Sequence, residues 1–508
     1  MIWIGERERT LMSDTRPTQH LGRRRFVTLA LGAGGITLLA ACGPAPANKP
    51  SGAAATQPPS GAGTTPAAAA PPSASTQGSL RIALFGSLQD ANQRAAMIPG
   101  FNKLYSNVKV EYVPIQGTDW EEFFSKVLTM KAANNAPDIT LVATEGTQLF
   151  AGQGLGLPLD DYVKRDQKDM TQYFSDVHPA LVEAMMYEGS LYEMPTDFNV
   201  PNMYFNTQVL QAAGLDYPSA DWTKDTFYDY ATKTAKKDST GQTQVFGYQW
   251  VNRLWGSWLP WVFVNGSNLL TEERAPGGDW LWQTFYKDDK AAAGRGGGWR
   301  WNAPKANDAA NLEALDLMVQ LVKEGASGPV DLGGGSQLQG FFGGGKLAMT
   351  PAGGFWAGGL HAAGLAPDAF DVQFFPKWKS QRHQFGTGGY VIMKDARDKD
   401  LAWEYLKYMT SVEAMTIYLH DNNTTPSRRS FMTAERYAAT GPKHWQVFYD
   451  TLDKNPDTAP IPAPPESNPM TTIFTKYSGL AMSQAMTPKA ALDGMQKDLE
   501  ALWAKRKK

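Results

Sequence analysis

The order of charge and hydropathy near the start of the chain limits what everything after it can be. Arg23, Arg24 and Arg25 stand directly before Phe26, and only apolar or small residues follow as far as Ala41. A basic patch ahead of an apolar run is the layout of a secretory signal. The run is about sixteen residues, short of the ~20 a helix needs to cross a bilayer. The remainder is therefore expected to be exported and to persist outside the cytoplasm. It must persist there through its core alone, because Cys42 is the only cysteine and no intramolecular disulfide can form. The alternative is a membrane-anchored N-terminal helix with an incidental buried cysteine. Residues before Gly22 form a polar leader, and Met12 is an equally good start.

Two details sharpen this reading. The arginine pair, one residue and Phe26 resemble the twin-arginine export signal, which carries proteins across the membrane already folded. Leu39-Ala40-Ala41-Cys42 resembles a bacterial lipobox, which implies lipidation of Cys42 through its thiol and removal of residues 1–41 as a signal peptide. From Gly43 to about Gly78 the chain is nearly all Ala, Pro, Gly, Ser, Thr and Gln, with Lys49 its only charge. Such a segment cannot bury enough apolar surface to fold, so residues 42–78 are expected to be a disordered tether.

Roughly 430 residues remain, about twice what one hydrophobic core supports, so two lobes are expected. The formal charge is -2, from 48 basic and 50 acidic residues, which argues against a nucleic-acid surface. Histidines 178, 361, 383, 420 and 444 are scattered without an i,i+4 pair, and neither metal nor cofactor is expected. Gly340 with Gly345-Lys346 imitates a phosphate-binding loop, but Leu347 stands where that loop needs a hydroxyl for magnesium. No Gly-x-Ser-x-Gly elbow occurs. Asp160-Asp161 and Glu121-Glu122 read as solvated surface charge. The 16 Trp and 19 Tyr hint at a surface that stacks on ligands, although most Trp residues in any protein are core.

Along the body, short apolar runs of strand length alternate with helical patterns. Strands are expected at Leu80–Gly86, Val108–Val113, Asp138–Ala143 and Asn202–Asn206, and helices from Asp119 to Ala133 and Asp308 to Val322. The alternation argues for an α/β lobe with a largely parallel sheet. Ligands bind beyond the carboxyl ends of such strands, which places Phe85-Gly86-Ser87 and Thr144-Glu145 at a rim. Ala275–Trp301 and Gly333–Gly345 read as glycine-rich loops.

Several segments then fall in a familiar order. Gly189 with Tyr192 and Pro195, the strand to Tyr204-Phe205-Asn206, Ala213-Gly214-Leu215, and Asp221-Trp222-Thr223 come first. Phe341 to Met349 with Gly354-Phe355-Trp356, Gly388-Gly389-Tyr390, and Thr425-Pro426-Ser427-Arg428 follow. This resembles family 1 extracellular solute-binding proteins, the maltose-binding-like lipoprotein receptors of carbohydrate ABC importers. Trp222 precedes Thr223 where that family has the reverse order. The resemblance covers nearly all of residues 80–508.

It implies an α/β, two-lobed periplasmic-binding-protein-like (Venus-flytrap) fold with discontinuous lobes, 79–197 with 388–428 and 198–387 with 429–508. The lobes would join near Thr196–Pro201, Gly386–Ile392 and Asn422–Arg428. The implied function is capture of a sugar or oligosaccharide by hinge closure and delivery to ABC permease subunits, by a monomer tied to the outer face of the cell membrane through Cys42. No enzymatic activity is expected. An exported glycoside-active enzyme, or the same receptor for a non-sugar solute such as a peptide or polyamine, stays open.

A sugar offers apolar C–H faces and a ring of hydroxyls, so its site stacks aromatics and supplies carboxylates, amides and guanidinium groups. The candidates by position are Trp120 after the second strand, Glu145 at the end of the third, and Asp197 and Asn199 on the first crossing. Asn252 and Trp255 stand in the dense run that also holds Trp250, Trp258 and Trp261, of which the last two are first in line for the core. Trp356, Tyr390 and Arg428 are added through the resemblance and the later crossings.

Overall fold

The structure is a computed structural model that describes residues 72–73, 75–328, 335–419 and 422–506. The signal segment, Cys42, nearly all of the tether and His420 lie outside these residues. All described residues belong to one compact unit.

The first sheet is built on three parallel strands. Gly78–Phe85 lies between Val108–Ile115 and Ile139–Ala143. Gln384–Ile392 adds antiparallel to the last of these, and Glu193–Asn199 and Thr425–Pro426 extend the sheet beyond it. The central strand is covered on both faces, and its period of two sorts the cover. Leu80, Ile82 and Leu84 enter one core cluster, whereas Ala83 enters another with Val142 and Val391. The Trp120–Ala132 helix closes that second face. Asp119 caps it by accepting from the Glu122 amide at 2.8 Å, and Phe123 and Phe124, each about one helical turn from Val127, are fully buried with it.

Only Val200 and Pro201 separate Glu193–Asn199 from Asn202–Asn206, a strand of the second sheet. That sheet runs Phe370–Gln373, Asn202–Asn206, Leu347–Ala352, Thr243–Tyr248 and Lys236–Lys237. The chain returns to the first sheet over residues 374–383. Trp258 and Trp261 are fully buried behind the second sheet. Trp258 stacks at 5.4 Å on Phe474 and gives its indole N–H to Ser478 Oγ at 2.8 Å; the Trp261 indole reaches Tyr248 Oη at 3.2 Å. Trp250 is 1% exposed and joins the same cluster. The Ala309–Glu324 helix, capped by Asp308 and ended by Gly325 at φ 75°, completes this core with Ser467–Met482 and Pro488–Trp503.

Two segments that read as loops are ordered. Gly335–Gly343 is a helix whose Leu338 and Phe342, four apart, enter a third apolar cluster. Gly344-Gly345 then turns the chain into strand Leu347–Ala352, with Gly345 at φ 67°. Helix, glycine turn, strand is the reverse of a phosphate-binding loop, so the glycines end a helix and do not cradle an anion. Within 275–301, Asp279–Phe285 is a helix, and Trp299–Pro304 pairs antiparallel with Leu270–Arg274. Leu281, Trp282 and Tyr286 pack into the first lobe's core. Glu183, 0% exposed, accepts there from Arg274 Nε at 2.8 Å, Arg295 Nη1 at 2.7 Å and the Gly296 amide at 2.8 Å. Among the described residues no helix is long and apolar enough to cross a membrane.

Candidate functional site

The carboxyl ends of the parallel strands meet at one rim of the first sheet, and a cavity of about 480 Å³ opens there. Phe85, Asp119, Trp120, Glu121, Glu145, Asp197 and Asn199 line it from the first lobe. Asn252, Arg253, Trp255 and Phe355 line it from the second. Each wall carries an aromatic pair. Trp120 lies 4.8 Å from Phe85, and Trp255 lies 5.8 Å from Phe355.

The polar groups are fixed by neighbours yet left with capacity. Trp255 gives its indole N–H to the Asn199 carbonyl at 3.3 Å, which ties the second lobe's loop to the crossing strand. The Asn199 amide donates to Thr424 Oγ1 at 3.2 Å, and that of Asn252 to the Thr475 carbonyl at 2.9 Å. The Oδ1 atoms of both are buried with no protein partner. Buried acceptors left without a partner are costly to the fold.

The carboxylates are under similar tension. Burial, then the Glu121 charge, pushes Glu145 up to about 7 against the pull of Arg253. Glu121 is itself raised, chiefly by burial. Asp197 is held up at about 6 by burial, opposed by Arg94, the Thr424 hydroxyl and the Gly388 amide. Burial lowers Arg253 although both glutamates favour its charge. These acids gain by meeting donors, and hydroxyl or ammonium groups of a ligand supply them.

A pH dependence follows. In the unfolded chain Glu and Asp titrate near ~4.3 and ~3.9. The folded chain therefore holds more protons than the unfolded one between about pH 4 and 7, and its stability falls as pH rises through that window. Above pH 7 the cost is complete, on the order of 4 kcal/mol for Glu145. The ligand-free melting midpoint is expected to drop between pH 5 and 7.5, and Glu145→Gln to flatten the slope. An unchanged slope in that variant would contradict the assignment.

Trp120, Glu145, Asp197, Asn199, Asn252 and Trp255 thus line this cavity, Trp356 lines an adjoining one with Arg253 and Phe355, and Tyr390 and Arg428 line neither. Trp356 is 3% exposed and packs edge-on at 5.8 Å against Tyr204 and 5.5 Å against Phe342. On its helix Phe355, about 100° round, is the residue that faces the cavity. Tyr390 is buried in the central sheet, where its hydroxyl accepts from Arg94 Nε at 3.0 Å. Arg428 ion-pairs with Asp176 at 2.7 Å and lines a different cavity with Tyr105 and Glu413.

The adjacent acids need correcting too. Glu121 lines the cavity, and only Glu122 is a surface group, paired at 2.7 Å with Lys126. Asp160 accepts from the Trp280 indole at 3.1 Å and the Leu191 amide at 3.2 Å, a structural role. Sequence reasoning also missed Arg94, Arg253, Phe355 and Tyr418. Arg253 had a usable signal, lying between two named candidates. Arg94 and Tyr418 meet across the fold, the guanidinium 5.7 Å over the ring, and nothing local announces it.

Two α/β lobes joined by short crossings, with a polar and aromatic cleft between them, define the two-lobed binding proteins. Residues 86–416 match the bacterial extracellular solute-binding proteins, and the chain belongs to that family. An ABC substrate-binding protein of Listeria monocytogenes, solved with cycloalternan, is similar at a TM-score of 0.69 and 20% identity, over 84% of this chain and 100% of that one. An ABC transporter solute-binding protein of Thermotoga lettingae, bound to α-D-tagatose, gives 0.67 at 18% identity, over 84% and 100%. A Brucella abortus (strain 2308) protein, provisionally described as a binding protein, is 23% identical over 294 residues, which is 57% of this chain. The match spans 62% of that relative's length.

Proposed function

We propose that this chain is the extracytoplasmic receptor of an ABC importer, which captures a sugar or oligosaccharide by closing its lobes and passes it to a membrane permease. The observation that carries the reading is the cleft itself, where each wall contributes an aromatic pair and carboxylates gather beside them. Aromatic faces match the C–H faces of a pyranose, and carboxylates and amides match its hydroxyls. Sugars bound by the similar solved proteins point the same way. Closure is driven only as far as the solute binds the closed form better than the open one.

Binding is favoured over glycoside hydrolysis by where the acids stand. Hydrolysis needs two carboxyl groups flanking the scissile bond. Here Asp119, Glu121, Glu145 and Asp197 all come from the first lobe, and the described residues of the second add none. The lobe limits 79–197 with 388–428 and 198–387 with 429–508 belong to this proposal, as does a monomeric state; Asn199 and the packing of Leu281, Trp282 and Tyr286 fall on the first lobe's side.

So do twin-arginine export, lipidation at Cys42 and a tether over 42–78 that holds the body off the membrane surface. Cys42→Ser is expected to move the protein from the membrane fraction to the soluble one. Persistence in the membrane fraction would contradict the lipid anchor.

A melting-midpoint screen of the full chain tests the receptor reading. A ligand at 100 times its Kd adds ~2.7 kcal/mol of stability. The midpoint should rise with a saccharide and stay fixed with peptides. A rise with peptides alone would keep the fold and overturn the solute.

A further inference from the structure

We infer that the solute is a saccharide bearing a protonated amine, its ammonium seated against the acidic first-lobe wall beside Glu121 and Glu145. The inference rests on the receptor reading and narrows it.

Charge arithmetic opens the argument. Four carboxylates, Asp119, Glu121, Glu145 and Asp197, face the cavity against two guanidinium groups, Arg94 and Arg253. The cleft thus carries as large an acidic excess as the whole 508-residue chain, whose formal charge is -2. Both cations already have other partners. Arg94 donates to Tyr390 Oη at 3.0 Å and lies over the Tyr418 ring. Arg253 donates to the Trp255 carbonyl at 3.0 Å and stacks 5.0 Å over the Trp255 ring. Among the described residues no cation reaches ion-pair distance of Glu121, Glu145 or Asp197. Asp119 is partly spent on its helix cap.

A neutral sugar donates hydroxyl hydrogens to these acids but leaves Glu121 and Glu145 as like charges, each disfavouring the other's ionised form. An ammonium brings three donors and a full charge, and charge-assisted hydrogen bonds are about twice as strong as neutral ones. Trp120, only partly buried, still offers a face to the sugar's C–H groups, and aromatic faces also attract a cation. The aromatic lining, Phe85 and Trp120 on one wall and Phe355 on the other, is why the inference is an amino saccharide and not a bare polyamine.

Titration calorimetry on the purified full chain tests this with matched probes. These are glucose and cellobiose, N-acetylglucosamine and its disaccharide, glucosamine and its disaccharide, and spermidine. The free-amine sugars should bind about tenfold or more tighter than their hydroxyl and acetylated twins. That advantage should shrink at high salt. Glu145→Gln, checked for folding by its melting midpoint, should reduce the ratio of amine to neutral affinity. The salt series on the unaltered protein serves alone if the variant does not fold. Equal or tighter binding of the neutral sugars overturns this inference and leaves the receptor reading intact. Spermidine bound without any sugar, or no binding by any probe, overturns both.

Discussion

Glu183→Ala should lower the unfolding free energy by about 3–5 kcal/mol, the range for breaking a buried ion pair on one side. Glu183 is fully buried and receives three donors, from Arg274, Arg295 and the Gly296 amide. Its removal leaves Arg295, whose side chain is only 5% exposed, as an uncompensated charge. It also frees the 270–304 segment from the first lobe, where Leu281, Trp282 and Tyr286 supply the remaining grip. Urea unfolding reads the loss directly. Glu183→Gln should recover part of it, because an amide oxygen still accepts although the charge is gone. A loss below about 1 kcal/mol for the alanine variant, typical of an exposed pair, would show that this network is not what fastens the segment.

Trp255→Ala should weaken solute binding about a hundredfold, through lost stacking area and a loosened cleft wall. The ring lines the cavity beside Phe355, carries the Arg253 guanidinium on its face, and donates to the Asn199 carbonyl on the strand that crosses between lobes. Its neighbour in the same run makes the control. Trp258→Ala empties a fully buried position stacked on Phe474 and should cost about 3–5 kcal/mol of stability. The two variants, assayed for affinity and for melting midpoint, should therefore fail in different assays. A Trp255→Ala protein that binds the solute as tightly as the parent would remove this ring from the site.

The contrast between Trp255 and Trp258 also marks how far sequence could be read. The parallel strands of the first lobe were legible because each is a short apolar run bounded by turn residues, and their carboxyl ends then located the rim at Phe85 and Glu145. The crossing residues Asp197 and Asn199 were legible only through the resemblance, since no periodicity marks where a chain leaves one sheet for another. Trp356 illustrates the limit within a helix. A glycine pair before an aromatic pair suggested a ligand contact, but which of Phe355 and Trp356 faces the cavity depends on helix phase, and the strand carrying Tyr204 claims the tryptophan.

Glu121 was read as surface charge because an acidic pair at the start of a helix usually is one. Only the second lobe closing over that helix start makes it part of a site. Gly333–Gly345 misled by composition. Leu338 and Phe342 have a long-range cluster to enter, and that packing outweighs the low helix propensity of the glycines around them. The Arg94, Tyr390 and Tyr418 contacts join residues about three hundred positions apart, and no local pattern announces such pairs.

The central claim is that two lobes close on a sugar, and small-angle scattering of the full chain tests it most directly. Saturating solute should reduce the radius of gyration, with the tether contributing equally to both states, and Trp255→Ala should need far more solute for the same change. An unchanged radius with the solute demonstrably bound would contradict capture by closure.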